Sequence, residues 1–290
     1  MRRRALLAAA LAAGPAALLA ALARGQTPAF AWDDGSVPFV VTPMEIVQRM
    51  LRMAEVGRED YVIDLGSGDG RIVIEAAKRG ARGLGVEIEP ALVAAATENA
   101  RAAGVGDRVR FEARDLFQID LSPASVVTIY LLPELNAKLL PRLLALKPGT
   151  RIVSHDAPIG DWPFDERLEL LVPDKPVGHG LSRVELWIVP AHAAGDWTCD
   201  LPAHGGRWRF RMAQRYQSLE VEARAEQARD LVIPAARLRG AQISMVVNGI
   251  VGQRAWRHVF TGTVEGARIS GEVRASDGNE TRSYPWSALR

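Results

Sequence analysis

The run Val62-Ile63-Asp64-Leu65-Gly66-Ser67-Gly68-Asp69-Gly70 constrains this chain more than any other, because a short apolar strand passes directly into glycines at alternate positions and a helical pattern follows. Glycine, without a Cβ, lets the backbone turn tightly and lets a ligand approach at van der Waals distance. A dinucleotide-binding loop asks for glycine or alanine three places after Gly68, where this chain has Arg71. The loop therefore speaks for an α/β sheet and against a nicotinamide cofactor. Alone it remains a tight strand-to-helix connection, a feature many folds use.

The flanking pattern supports the sheet. Ile46, Val47, Met50, Leu51 and Met53 follow helical spacing within Pro43 to Val56, and Tyr61 to Leu65 reads as the first buried strand. Then come a helix over Asp69 to Lys78, a strand over Gly83 to Glu87, a helix over Pro90 to Ala103, and strands over Val109 to Ala113 and Ser125 to Leu131. A helix over Glu134 to Leu146 and a strand over Arg151 to His155 follow. This alternation predicts a parallel sheet with helices on both faces. Arg167 to Val172 and Arg183 to Val189 have no helix between them and read as an antiparallel pair at its edge, giving seven strands.

Beyond Pro190 the texture changes to short alternating runs such as Arg207 to Met212, Leu219 to Ala223, Ile243 to Val247, His258 to Val264 and Ile269 to Val273. Asn248-Gly249, Glu265-Gly266 and Asp277-Gly278 carry turn chemistry. The expectation is a small antiparallel β-barrel or sandwich over residues 194–290, after an α/β domain over 37–190.

Two acids extend the glycine loop into a constellation. Glu87 ends the second strand about 20 residues after the loop, where a carboxylate can accept from both ribose hydroxyls of an adenosine. Asp115 follows the third strand and can accept from an adenine amino group, with Leu116 and Phe117 offering apolar surface. Taken singly, Glu87 is a strand-end acid and Asp115 a cap or turn aspartate. The ends of successive strands, however, converge on the crevice where open α/β sheets bind ligands.

Through Asp64-x-Gly66-x-Gly68-x-Gly70, Glu87 and Asp115 the chain resembles class I (seven-strand, Rossmann-like) S-adenosylmethionine-dependent methyltransferases over roughly Val37 to Val189. Within that class, Pro38-Phe39-Val40-Val41-Thr42-Pro43, Asp64 to Ile74 and Asp115-Leu116-Phe117 resemble the protein-lysine methyltransferases of the mitochondrial ATP synthase c subunit and adenine nucleotide translocase, with their bacterial relatives. Phe39 and Val41 depart from that family's Pro-Tyr-Val-Pro pattern. The resemblance implies S-adenosyl-L-methionine as cofactor, contacted by Thr42, Asp64, Gly66, Ser67, Gly68, Gly70, Glu87, Asp115 and Leu116. It implies a protein lysine as acceptor, with a membrane protein among the expected partners and a small-molecule acceptor as the alternative. Tyr130 at the end of the fourth strand, His155 with Asp156 at the end of the fifth, and Trp162 beyond it are the candidate catalytic and positioning groups. Each has a plainer reading as core aromatic or turn.

Lys plus Arg (36) nearly balances Asp plus Glu (34), which argues against a nucleic-acid partner. A single cysteine, Cys199, reads as a structural thiol, and His155, His179, His192, His204 and His258 make no metal spacing, so no metal is assigned. Met1-Arg2-Arg3-Arg4 before the uncharged run Ala5 to Ala23 is the layout of a signal peptide, and residues 1–31 are expected to be a signal or a membrane anchor. Periplasmic export or membrane attachment follows. Since the cofactor is made in the cytosol, a non-catalytic exported binding protein on the same scaffold is the competing reading.

Overall fold

The computed structural model describes residues 30–32, 38–173, 175 and 180–290. The expected signal segment, apart from Phe30 and Ala31, and His179 lie outside them. Among the described residues no helix is long and apolar enough to cross a membrane. The chain divides into two compact units, with the main boundary at Trp187/Ile188 and Leu143–Thr150 grouped with the second.

A short hairpin, β1 (Phe30–Trp32) and β2 (Pro38–Val40), precedes the first unit's sheet. The first unit then contains α1 (Met44–Met53), β3 (Tyr61–Leu65), α2 (Arg71–Lys78), β4 (Arg82–Glu87), α3 (Pro90–Ala102), β5 (Val109–Ala113) and β6 (Val126–Ile129). After α4 (Pro133–Leu144) come β7 (Arg151–His155), β8 (Glu166–Leu171) and β9 (Leu181–Ile188). The sheet order is β5-β4-β3-β6-β7-β9-β8, parallel through β7 and ended by the antiparallel β8–β9 pair. Strands buried on both faces read as unbroken apolar runs. β3 and β6 do so here except at Asp64 and Thr128, Val62, Ile63 and Leu65 and all of Val126–Ile129 being buried. The chain order reverses between β3 and β6, so the carboxyl ends of these strands flank the switch point where such sheets bind ligands.

The second unit contains the closed antiparallel barrel β10 (Gly195–Leu201), β11 (Gly206–Arg215), β12 (Ser218–Ala225), β13 (Ala228–Arg239), β14 (Gln242–Val251), β15 (Arg254–Glu265), β16 (Arg268–Ser276) and β17 (Thr281–Leu289). Of the two architectures expected, the barrel is the one found. Its core is aromatic: Trp197, Trp208, Phe210, Phe260 and Trp286 are buried together. Each indole N–H in that core is satisfied, Trp197 Nε1 donating to Ala193 O (2.8 Å), Trp208 Nε1 to His204 O (2.7 Å) and Trp286 Nε1 to Thr261 O (2.9 Å). Cys199 is a buried free thiol in the same core, its pKa pushed up to about 12 by burial and the nearby Asp200 charge.

One turn expectation is corrected. Asn248-Gly249 lies inside β14, paired with Arg257 and Trp256, and the chain reverses instead at Gly252, whose φ is +64°. Gly249 is small because β13 crowds it, a Cβ there meeting the Leu231 Cδ2 atom. The glycine marks a close strand approach, which a dipeptide signature does not distinguish from a hairpin.

Candidate functional site

At the carboxyl end of β3 the loop is built from backbone hydrogen bonds. Gly66 N and Ser67 N both donate to Val86 O at 2.9 and 3.0 Å, and Gly70 N donates to Ser67 O at 2.9 Å. Gly66, Gly68 and Gly70 take φ values of +79°, +53° and +81°, the left-handed region glycine tolerates. A Cβ on Gly66 would also stand 2.9 Å from Leu131 Cδ2, and one on Gly70 would stand 2.7 Å from the Phe111 ring. Backbone conformation at all three positions, and packing against Phe111 and Ala96 at Gly70, therefore favour glycine before any ligand does.

The acids are woven into the loop. Glu87 Oε2 accepts from Gly68 N at 2.9 Å, while its Oε1 accepts from Ile88 N at 2.8 Å and from Glu89 N at 3.2 Å. Asp64, 2% exposed, accepts from Thr128 Oγ1 at 2.7 Å across the β3–β6 junction. Burial, joined by the Glu87 and Asp69 charges, pushes its pKa up to about 7, with the Thr128 bond opposing. Asp69 pairs with Arg71 (2.5 Å), whose Nη1 donates to Thr42 O at 2.8 Å, and Asn99 Nδ2 donates to Asp69 O at 3.0 Å. Arg71 thus ties the segment before α1 to the glycine loop, and Thr42 is buried in that position. The Ser67 Oγ atom is buried with no partner among the described residues.

Asp115 does cap a short 3-10 turn (Leu116–Gln118), Oδ1 accepting from Phe117 N at 2.8 Å, and Oδ2 accepts from Gln118 Nε2 at 3.2 Å. Leu116 is half-buried, with its carbonyl held by Arg142 Nη1 at 2.9 Å. Beside Glu87, Ile88 is 67% exposed, an apolar side chain presented to solvent at a strand end.

Past β6 and β7 a second cluster forms. Tyr130 is half-buried and its ring centroid lies 4.1 Å from that of His155. His155 is fully buried, its Nε2 lying 3.2 Å from Ser182 Oγ and 3.4 Å from Asp156 Oδ2. Burial drives the His155 pKa down to about 4, the Asp156 charge opposing and the Lys175 charge adding, so its imidazole is neutral at pH 7. Burial, aided by Asp156, lifts the Tyr130 phenol to about 12. Asp156 has a left-handed φ of +63°, strained for a residue with a Cβ, and accepts from Arg183 N at 2.8 Å and Lys175 Nζ at 2.5 Å. Trp162 is 2% exposed, packs against Trp187 at 6.3 Å between ring centroids, and its carbonyl accepts from Trp187 Nε1 at 2.9 Å. A buried indole in that setting supports the protein interior and offers no wall to a solvent-borne acceptor.

Hydrogen bonds join the glycine loop to Glu87 directly and to Thr42 through Arg71, Thr128 holds Asp64 at the end of β3, and Tyr130, His155 and Asp156 form another cluster. Sequence reasoning missed Thr128, Asp69, Arg71, Asn99, Ile88 and Lys175. Only Asp69, Arg71 and Ile88 had a local signal, by sitting within or beside the motifs. Among the described residues no group of three or more His, Cys, Asp or Glu forms a metal site.

Residues 64–166 match the ANTKMT methyltransferase domain family. The chain is 41% identical over 159 residues to a protein-lysine N-methyltransferase of Saccharolobus islandicus, covering 54% of this chain and 96% of that protein. With the lysine N-methyltransferase of the ATP synthase c subunit from Mus musculus it shares 32% over 172 residues, 59% of this chain and 61% of the relative, so less than two thirds of that relative is spanned. Among solved structures, an RNA methyltransferase from Salinibacter ruber in complex with S-adenosyl-L-homocysteine is 49% identical over 53% of this chain and 95% of that one, with a TM-score of 0.49.

Proposed function

Since the chain belongs to the protein-lysine N-methyltransferase family, we propose that it uses S-adenosylmethionine to methylate a lysine side chain of another protein. The observation that carries the reading is that two clusters lie at the carboxyl ends of neighbouring central strands, the Glu87–Gly68 loop network after β3 and β4 and the Tyr130–His155–Asp156 group after β6 and β7. S-adenosylmethionine supplies a methyl group made electrophilic by its sulfonium. The site suits it: Ser67 Oγ is buried without a partner, and Ile88 presents an apolar surface next to the carboxylate of Glu87. In this reading Glu87 accepts from a ribose hydroxyl with the Oε2 lone pair that its three backbone bonds leave over, and Ile88 with Leu116 flanks the adenine. Asp115 accepts from the adenine amino group.

The protein's part in methyl transfer is alignment and exclusion of water. A lysine ammonium must first lose a proton. Neutral His155 and protonated Tyr130 carry no charge at pH 7, so Asp156 is the anion of this cluster that can hold and orient the incoming ammonium. Tyr130 then supplies an aromatic face for the alkyl stem and for a methylated ammonium.

We further propose a membrane-associated acceptor, supported by the basic and apolar N-terminal pattern and by Met44 and Leu132, exposed apolar side chains beside Thr42 and Tyr130. Export or anchoring through Ala5 to Ala23 belongs to the same proposal, and fractionation that finds the full-length chain wholly cytosolic would remove it. Calorimetric titration with S-adenosylmethionine, followed by radiolabelled transfer to membrane, soluble-protein, RNA and metabolite fractions, tests the whole reading. Label on protein lysine supports it, with the membrane fraction labelled first. Label only on metabolites moves the assignment to a small-molecule methyltransferase, and label only on RNA moves it to nucleic acid.

A further inference from the structure

The 290 residues include 32 arginines and only four lysines, Lys78, Lys138, Lys147 and Lys175. The first three are exposed, whereas the Lys175 side chain is 4% exposed. Its Nζ donates to Asp156 Oδ2 at 2.5 Å and to the Leu181 carbonyl, and its backbone N donates to Val172 O at 3.0 Å. Asp156 in turn lies beside His155, which packs on Tyr130, and Leu131 touches the Gly66 position of the cofactor loop. A run of contacts thus leads from the glycine loop to a lysine amine of this same chain, already bound to the carboxylate assigned to the acceptor. Asp156 keeps a strained backbone while making this pair.

We propose that Lys175 is an intramolecular occupant of the acceptor-amine site, held by Asp156, and is itself a site of self-methylation; the inference rests on the lysine-methyltransferase reading. In the step, the amine sheds one proton along its contact with Asp156, and its lone pair forms the new N–C bond to the methyl carbon. The C–S bond breaks with its electron pair remaining on sulfur, leaving a neutral thioether, and the proton passes to solvent. The tertiary structure delivers the amine, so the reaction is first order in the chain. An external lysine has to displace Lys175 from Asp156 to be methylated.

Two measurements on the full chain test this. In the first, the purified protein is incubated with S-adenosylmethionine and no other protein, and methyl groups are mapped by peptide mass spectrometry. Methylation should fall on Lys175, spare Lys78, Lys138 and Lys147, proceed at a rate independent of protein concentration, and vanish in Lys175→Arg. In the second, made without cofactor, limiting acetylation by acetic anhydride should modify Lys175 about tenfold more slowly than the other three, as expected of an amine withdrawn from water and ion-paired. Lys175 acetylated as fast as the others, or unmethylated while an added protein acceptor is labelled, overturns the proposal and leaves the proposed function standing. No methyl on any protein, although S-adenosylmethionine binds, removes both.

Discussion

In the sheet unit, buried Asp64 is given a hydroxyl donor by Thr128, and Asp69 is given the Nε and Nη2 edge of the Arg71 guanidinium. In the barrel, His258 is fully buried among Trp208, Trp256 and Phe260, with both ring nitrogens unpaired and the Val247 backbone near but outside hydrogen-bond geometry. His204, 5.4 Å away between ring centroids, has only Tyr284 OH, at 3.2 Å from its Nε2. The sheet gives its buried carboxylates partners next to its ligand crevice and leaves only single atoms of Ser67, Asn136, His155 and Glu185 without one among the described residues. The barrel buries them in an aromatic core. Satisfied networks specify a geometry, whereas unpaired buried groups weaken the element that holds them, so the two units should answer differently to the same perturbation.

The largest effect is expected from added volume. A side chain on Gly271 of β16 would collide with the Thr261 carbonyl and stand 2.5 Å from Gly262 Cα, both backbone atoms that cannot swing aside. Gly271→Val should abolish the barrel's melting transition, a loss above about 3 kcal/mol, as overpacking against fixed backbone requires. We propose that the two units fold independently, and calorimetric S-adenosylmethionine affinity of this variant checks it. Unchanged affinity keeps the units separate, and lost affinity joins them.

The next effect is on pH. The folded pKa of His258 is pushed down by burial and the neighbouring His204, from 6.5 to about 4, so its contribution to stability is complete above pH 6.5 and lost as pH falls toward 4. The barrel should lose up to about 3 kcal/mol in that window, at about 1.4 kcal/mol per unit. In the sheet, His155 has the same sign, but Asp64, raised from 3.8 to about 7, has the opposite one and loses stability as pH rises through that interval. The two slopes oppose each other. Thermal melts between pH 4.5 and 7.5 should move the barrel transition more than the sheet transition. Asp64→Asn should give the sheet the barrel's slope, and His258→Phe should flatten the barrel's. Equal slopes in the unmodified chain would show that the unpaired histidines carry no penalty.

The same contrast explains what the sequence disclosed. Parallel strands buried on both faces, such as Tyr61–Leu65 between Asp60 and Gly66 and Val126–Ile129 after Ser122-Pro123, are short and mostly apolar runs, and they are legible one by one. Barrel strands are legible only where alternation is clean, as in Gly206–Arg215. Ala228–Arg239 contains Pro234, shifts register against both neighbours and buries little of its surface, so its period is blurred. Glu87 and Asp115 announced themselves by their place after strands. Thr128 and Lys175 did not, because a hydroxyl 64 residues from Asp64 and an amine in a loop acquire meaning only when the sheet brings them to their carboxylates. Trp162 shows the reverse failure: loop position suggested a pocket wall, and packing against Trp187 made it interior. Trp162→Ala should accordingly lower the melting temperature, with any loss of turnover following from that.

A smaller effect isolates the cofactor loop. Glu87→Ala removes the acceptor for Gly68 N, Ile88 N and Glu89 N together with the lone pair assigned to ribose. S-adenosylmethionine affinity should fall by about 1–3 kcal/mol, the range for charge-assisted hydrogen bonds, and the barrel's melt should not move. A barrel transition that shifts with this variant would break the separation of the two units.

The smallest effect separates the two duties given to Asp115. As a cap its Oδ1 serves Phe117 N, and an asparagine oxygen can do that nearly as well, so Asp115→Asn should leave the melt in place. As an adenine acceptor, however, its Oδ2 is shared with Gln118 Nε2 at 3.2 Å, and an amide nitrogen there presents a donor to two donors. Affinity for S-adenosylmethionine should then drop by about 1 kcal/mol, near fivefold, through loss of one hydrogen bond. Affinity for methylthioadenosine, which keeps the adenine and lacks the amino acid, should drop by the same factor, because the missing contact lies on the base. If Asp115→Asn binds both ligands as the unmodified chain does, while Asp115→Ala lowers only the melting temperature, Asp115 is a cap and the adenine must be read by the backbone of the turn it supports.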